Sequence, residues 1–208
     1  MSVKQALRSF CDLYDSSDVR CEWILVGSLA SVLQGADMEP NDVDIYVKSE
    51  EDVKTLSMLM YDYCQLDPIH VPISHPEWRS SVELPYLTQR MPSGFTWSKG
   101  RWTIHSVPLE VVQIFDSAGI PDSLEGEGIW EGGKYIWDYA KTIEFGKYNI
   151  SVVPLEIQLE SNLRRKREAR ARNIIAALEK NGYDKNLLKK AVSSKHFDEY
   201  RELLMHLI

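Results

Sequence analysis

The sequence has too little cysteine to be a disulfide-held protein. Cys11, Cys21 and Cys64 are odd in number, widely spaced and form no Cys-x-x-Cys pair. That argues against both a disulfide framework and a structural zinc site. No apolar run approaches bilayer-spanning length, and the opening residues Ser2-Val3-Lys4-Gln5 are not the apolar core of a signal peptide. A cytoplasmic protein with no membrane partner is therefore expected. Positive charge is in deficit: 24 Lys and Arg against 31 Asp and Glu give a net −7, which disfavours a long nucleic acid as partner. The five histidines, His70, His75, His105, His196 and His206, show no metal-ligand spacing. Internal repeats and low-complexity segments are absent as well.

What remains is an ordinary globular composition, 208 residues with 44% hydrophobic and 26% charged. A chain of that length buries a real core, as one domain or as a domain with an appendage. Charge is unevenly placed. Residues 164–172 hold six positive charges and one negative, leaving the rest of the chain near −12. Such a run on an acidic protein is either a local anion site or a solvated helix face.

Periodicity supplies the elements. Val3, Ala6, Leu7, Phe10, Leu13 and Tyr14 mark an amphipathic helix over 3–15. Trp23-Ile24-Leu25-Val26 reads as a short buried strand, followed by a helix from Ser28 that Gly35 closes. A strand over 43–48 leads to a helix signalled by Ser49 as cap and Glu50-Glu51-Asp52 in its first turn. Prolines 68, 72, 76, 85 and 92 break every candidate helix between 64 and 100. The segment nevertheless carries Trp78, Tyr86, Leu87, Phe95 and Trp97, so it is read as packed loops and short strands. Strands are expected at 101–107 and 109–114, joined or kinked at Pro108. Residues 117–133, with five glycines and several acids, read as an exposed loop, with a short helix near 134–140. Residues 142–152 form a hairpin candidate turning at Gly146-Lys147. The pattern then predicts one long helix over 154–181 and two more at about 184–193 and 196–207. The whole reads as an α+β fold: a mixed β-sheet flanked by helices over 1–153, then a C-terminal helical region over 154–208.

Two features carry chemistry. Gly27-Ser28 lies where the first strand turns into a helix, a place where backbone N–H groups and a hydroxyl can meet phosphate. Asp42 and Asp44 stand two apart around the start of the second strand, so period-2 geometry aims both carboxylates at one face. Paired carboxylates near a phosphate-binding turn suit a hard cation such as Mg²⁺ carrying a nucleoside triphosphate.

This order of Gly-Ser turn, Asp-x-Asp on the next strand and a later acidic strand residue resembles the nucleotidyltransferase superfamily over residues 20–115. Its small stand-alone members, the antitoxin-type and aminoglycoside-modifying enzymes, are the nearest models. The resemblance implies a nucleotidyltransferase-like fold and Asp42, Asp44 and Glu110 as catalytic metal ligands. Glu110, within Leu109-Glu110-Val111, matches the third motif, where the family more often has Asp; Asp116 is the rival. Gly27 and Ser28 are the implied nucleotide-binding turn. Lys166 and Arg170, four apart on the expected long helix, are the implied nucleotide contacts of the tail. There the family often follows its basic residue with an acid, whereas Asn173 follows Arg172. The implied activity is Mg²⁺-dependent transfer of a nucleoside monophosphate, from ATP first of all, to a hydroxyl on a small molecule or protein. The alternative is an inactive protein of this fold that binds a nucleotide or a partner.

Overall fold

The computed structural model describes residues 2–90, 92, 94 and 96–207; Phe95 lies outside them. The chain divides into two compact units, Met1–Leu25 with Pro40–Phe115, and Val26–Glu39 with Asp116–Ile208.

The first unit holds helix α1 (Val3–Asp15), strand β1 (Trp23–Val26, its last residue assigned to the second unit), β2 (Val43–Val47), α3 (Glu50–Leu59), β3 (Leu87–Arg90), β4 (Thr96–Ile104) and β5 (Val107–Ile114). Its strands run in the order β3-β4-β5-β2-β1. β2 and β5 are parallel, whereas β3–β4 and β4–β5 are antiparallel, so the sheet is mixed as its sequence order implies. Each element starts where the local chemistry asks. Ser49 accepts from the Asp52 amide while Asp52 reaches back to the Ser49 amide, the reciprocal cap expected for α3. Along β2, Val43, Ile45 and Val47 are buried and alternate with half-buried Asp44 and Tyr46. The apolar face continues through Leu109 and Val111, which pair with Val43 and Ile45. Helix α3 covers it: a Cβ on Gly100 would lie 2.1 Å from the Trp102 ring and 3.0 Å from Ser57 of α3. Only glycine lets helix and sheet close there.

The β4–β5 connection corrects the sequence reading. Nothing breaks at Pro108, which sits inside β5 opposite Thr103. The chain turns two residues earlier, at His105 (φ 53°) and Ser106 (φ 67°). Two successive left-handed residues form the hairpin turn whose twist matches the flanking strands. Neither is Gly, Asn or Asp, so the usual turn signal was missing.

The second unit holds α2 (Gly27–Leu33), β6 (Lys141–Phe145), β7 (Tyr148–Val152), α4 (Leu155–Arg164), α5 (Glu168–Asn181), α6 (Lys185–Ala191), α7 (Ser194–Glu199) and α8 (Arg201–Leu204). β6 and β7 pair around Gly146-Lys147 as expected. Helix α4 is buried on all sides from Leu155 to Leu163 and packs with α5, α6 and α8 in one apolar cluster. Three expectations change here; the helix expected at about 196–207 is two, α7 and α8, separated at Tyr200. The stretch 154–181 is not one helix. It breaks at 165–167, where Lys166 takes φ 52°. The Lys166 amide donates to Leu163 and the Arg167 amide to Asn162, both at 2.9 Å. That closes α4 with a left-handed cap normally signalled by glycine. The 117–133 loop is also not wholly exposed, because Ile129, Trp130 and Glu131 are buried. The Ile129 amide donates to the Ala191 carbonyl at 2.8 Å, so this polar-looking segment is pinned at buried Ile129 and Trp130. Among the described residues no helix is long and apolar enough to cross a membrane.

Candidate active site

On the sheet face opposite α3, half-buried Asp44 lies in register beside Glu110 of β5, and Glu110 lies in register beside Arg101 of β4. Asp42, also half-buried, precedes β2 by one residue. The row Asp44–Glu110–Arg101 therefore runs across three neighbouring strands. Glu110 does not stand there as a bare carboxylate. Its Oε2 lies 2.9 Å from Lys99 Nζ and 3.5 Å from Arg101 Nε. Lys99, 3% exposed, is a buried cation, and three further contacts support it. Its ammonium donates to the Ile73 carbonyl at 3.3 Å and sits 5.1 Å and 5.9 Å from the Trp97 and Trp78 rings. Arg79 joins the same face, donating Nε to Thr103 Oγ1 at 3.2 Å and Nη1 to the Pro76 carbonyl at 2.7 Å. Burial, and then the nearby Arg101 charge, lower its pKa, while Glu110 raises it.

This geometry tests the fit of a metal. Among the described residues no group of three or more His, Cys, Asp or Glu is disposed to hold an ion. A dedicated protein cage for Mg²⁺ is therefore not built here. Asp44, with Asp42 one residue before the strand, still fits the ion's usual habit, which is one or two protein oxygens with the remainder from phosphates and water. A second metal on Glu110 does not fit, because two cations already meet that carboxylate.

In the second unit, Gly27 (φ 70°) opens α2 in a left-handed conformation, as a tight strand-to-helix turn requires. Its amide already has an anion: it donates to Glu131 Oε2 at 3.1 Å. Glu131, 2% exposed, also pairs with Arg165, and its own amide donates to Ser161 Oγ at 2.8 Å. Ser28 is buried at 8% exposure. Lys166 is exposed in the α4–α5 turn and Arg170 is half-buried in the first turn of α5. The single helix face that was to align them does not exist. Asp116 is exposed and left-handed (φ 49°) in the turn after β5.

Lys99, Arg101 and Glu131 were missed by sequence reasoning. For the first two a signal existed. Had the chain reversal been placed at His105-Ser106, antiparallel register alone would have set Arg101 opposite Glu110 and Lys99 on the same face. Nothing local marks Glu131, whose partners are 104 and 34 residues away.

No family model matches this chain, and no curated protein matches it. Among solved structures it is similar to a putative nucleotidyltransferase from Thermotoga maritima. The two share 19% identity at a TM-score of 0.48, over 86% of this chain and 96% of that one.

Proposed function

We propose that this chain is a Mg²⁺-dependent nucleotidyltransferase, moving a nucleoside monophosphate from a triphosphate such as ATP to a hydroxyl. The observation that supports the reading is half-buried Asp44 in register beside Glu110, with half-buried Asp42 one residue before the strand. Mg²⁺ would supply charge neutralisation for the triphosphate and orient it for in-line displacement. Asp42 and Asp44 would hold it from the protein side. Ser28, Lys166 and Arg170 stand as proposed phosphate contacts on the resemblance alone; the Gly27 amide is already engaged by Glu131. Lys99 and Arg101 keep Glu110 fixed in its row, which makes it a positioning group for the neighbouring aspartate. In the reaction the acceptor oxygen bonds to the α-phosphorus, the bond to the bridging oxygen breaks and pyrophosphate leaves. The hydroxyl proton passes to a carboxylate of the Asp42–Asp44 pair. A small molecule or a protein suits the acidic chain as acceptor better than a long nucleic acid.

The test is titration calorimetry with α,β-methylene-ATP, with and without Mg²⁺, on the wild type, Asp42→Asn and Asp44→Asn. Without the ion the aspartates repel the phosphates, so binding is expected only with Mg²⁺ and weakened in both variants. Equal affinity with and without Mg²⁺ overturns the reading. A second reading, a non-catalytic nucleotide or partner binder, is favoured by the carboxylate already seated on the Gly27 amide. Pyrophosphate release from Mg²⁺-ATP, assayed with an aminoglycoside and with the protein itself as acceptor, separates the two.

A further inference from the structure

The face that carries Asp44 and Glu110 holds more positive charge than Glu110 balances. Lys99 Nζ, at 2.9 Å, already matches that carboxylate, which leaves Arg101 and Arg79 in surplus. Thr103 stands two residues beyond Arg101 on β4 and so shares its face. Arg79 Nε donates to Thr103 Oγ1 at 3.2 Å. The two guanidiniums are therefore neighbours, and after burial it is the Arg101 charge that lowers the Arg79 pKa. Glu110 and exposed Glu77 act against that shift.

Arg101 supplies the second observation. Its side chain keeps only 14% of its exposure. A guanidinium carries five N–H donors, and among the described residues none of those on Arg101 makes a hydrogen bond. Nε, 3.5 Å from Glu110 Oε2, is buried and unpartnered. Nη1 and Nη2 are unpartnered as well but are not buried with it, so the open part of the side chain includes them. Arg79 is held in place from behind. Its Nη1 donates to the Pro76 and Trp78 carbonyls at 2.7 and 2.8 Å, which leaves Nη2 unspent among the described residues. Largely buried polar groups ordinarily find partners, and the planar guanidinium fork matches the paired oxygens of a carboxylate or phosphate.

We propose that Arg101 and Arg79 form an oxyanion subsite beside Asp44, and that the acceptor is a small hydroxylated molecule carrying a carboxylate or a phosphate. The acceptor role rests on nucleotidyl transfer at Asp42 and Asp44. In the row Asp44–Glu110–Arg101 the arginine lies two strands from the aspartate, roughly 10 Å between Cα atoms. A molecule anchored there by its oxyanion presents a hydroxyl a few bonds away toward Asp44. Mg²⁺ meets the charge of the triphosphate, so the two arginines are left for the acceptor. The acceptor's hydroxyl oxygen bonds to the α-phosphorus, pyrophosphate leaves and the proton passes to an aspartate. The anchoring oxyanion takes no part in these bond changes.

The experiment titrates the intact protein with glycerol phosphate, glycerate and glycerol, alone and after saturation with Mg²⁺ and α,β-methylene-ATP. Arginine side-chain ¹H–¹⁵N resonances are followed, and the signals lost in Arg79→Gln and Arg101→Gln identify the reporters. Glycerol phosphate, glycerate or both should move the two signals saturably in both states, and which one does so names the head group. Glycerol, lacking the charge, should need at least about tenfold higher concentration. Arg101→Gln should weaken the tighter anion about tenfold, and Arg101→Lys should restore only part, since ammonium keeps the charge but not the fork. Because Arg101 also touches Glu110, Arg79→Gln is the independent variant; it should weaken binding about threefold, read at the Arg101 signal. Unmoved signals with both anions overturn the proposal. So does equal binding of glycerol, or unchanged affinity in both Gln variants. Loss of the anion shifts once Mg²⁺ and nucleotide are bound gives the arginines to the triphosphate and overturns the acceptor assignment. Anion shifts in a protein that binds no Mg²⁺-nucleotide by calorimetry overturn nucleotidyl transfer, and the acceptor role with it, while the oxyanion subsite stands.

Discussion

Replacing Glu110 by Gln gives a result whose sign separates a structural ion pair from a metal ligand. The Glu110 carboxylate lies 2.9 Å from Lys99 Nζ and 3.5 Å from Arg101 Nε, and the Lys99 side chain keeps only 4% of its exposure. Removing the carboxylate strands that ammonium with one carbonyl and two indole rings. Breaking a buried pair from one side costs about 3–5 kcal/mol; the 19% exposure of Glu110 points to the lower end, about 3 kcal/mol. Lys99→Met should cost less, about 1–2 kcal/mol, because Glu110 keeps Arg101 and some access to water. The double variant should recover part of the sum, since the two sites share one interaction. Three carboxylates gathered for a metal behave oppositely. Without the ion they repel one another, and deleting one stabilises the protein. Urea unfolding in EDTA, followed by circular dichroism, reads the sign. An E110Q variant as stable as the wild type, or more so, refutes the ion-pair reasoning and returns Glu110 to the metal.

Three further outcomes are expected. With α,β-methylene-ATP bound, Mn²⁺ titrated under electron paramagnetic resonance should saturate at about one ion per nucleotide; two ions would make Glu110 a ligand despite its cations. Lys166→Gly should raise the melting temperature by relieving a left-handed residue worth about 1 kcal/mol, and unchanged nucleotide affinity in that variant would remove Lys166 from the binding site. Burial pushes the Cys11 thiol up to about 12 from 9.0, with Asp12 and Asp15 adding to the shift. The unfolded chain therefore gives up that proton first, and stability should fall between pH 9 and 12 by up to about 1.4 kcal/mol per pH unit. Below pH 9 this thiol contributes no slope. Cys11→Ala should flatten the alkaline limb of stability measured against pH, and an unchanged slope would contradict the burial argument.

Element order was legible because local patterns decide it. The apolar positions of α1, the reciprocal cap at Ser49 and Asp52, and the Gly146-Lys147 turn each act within a few residues. The place of Asp44 within the apolar strand β2 was legible for the same reason. What escaped was backbone conformation without its usual residue. His105, Ser106 and Lys166 are left-handed where glycine or asparagine normally gives notice. The first concealed the hairpin register that sets Arg101 against Glu110. The last concealed the break between α4 and α5. Long-range partners escaped as well. Glu131 meets Gly27, and Glu160 meets His196, only once the chain is folded.

These escaped contacts share a physical logic that bears on function. In the first unit Glu110 is met by Lys99 and Arg101. In the second, Glu131 is met by Arg165, Glu156 by Lys141, and Glu160 by Arg164 and His196. Each is an acid that composition counts as negative surface, yet each is half-buried or buried and neutralised by a fixed cation. A buried carboxylate without such a partner would surrender its charge or unfold the protein. An added metal therefore has little to gain at any of the four. Asp44 lies half-buried on an alternating strand, in register beside Glu110 with its counter-charges, and Asp42 is half-buried one residue before that strand. A triphosphate reaching that face brings far more negative charge than Lys99 and Arg101 can offset, since they are engaged with Glu110. That imbalance is why the nucleotide and the divalent ion are expected to arrive together, and why neither should bind well alone.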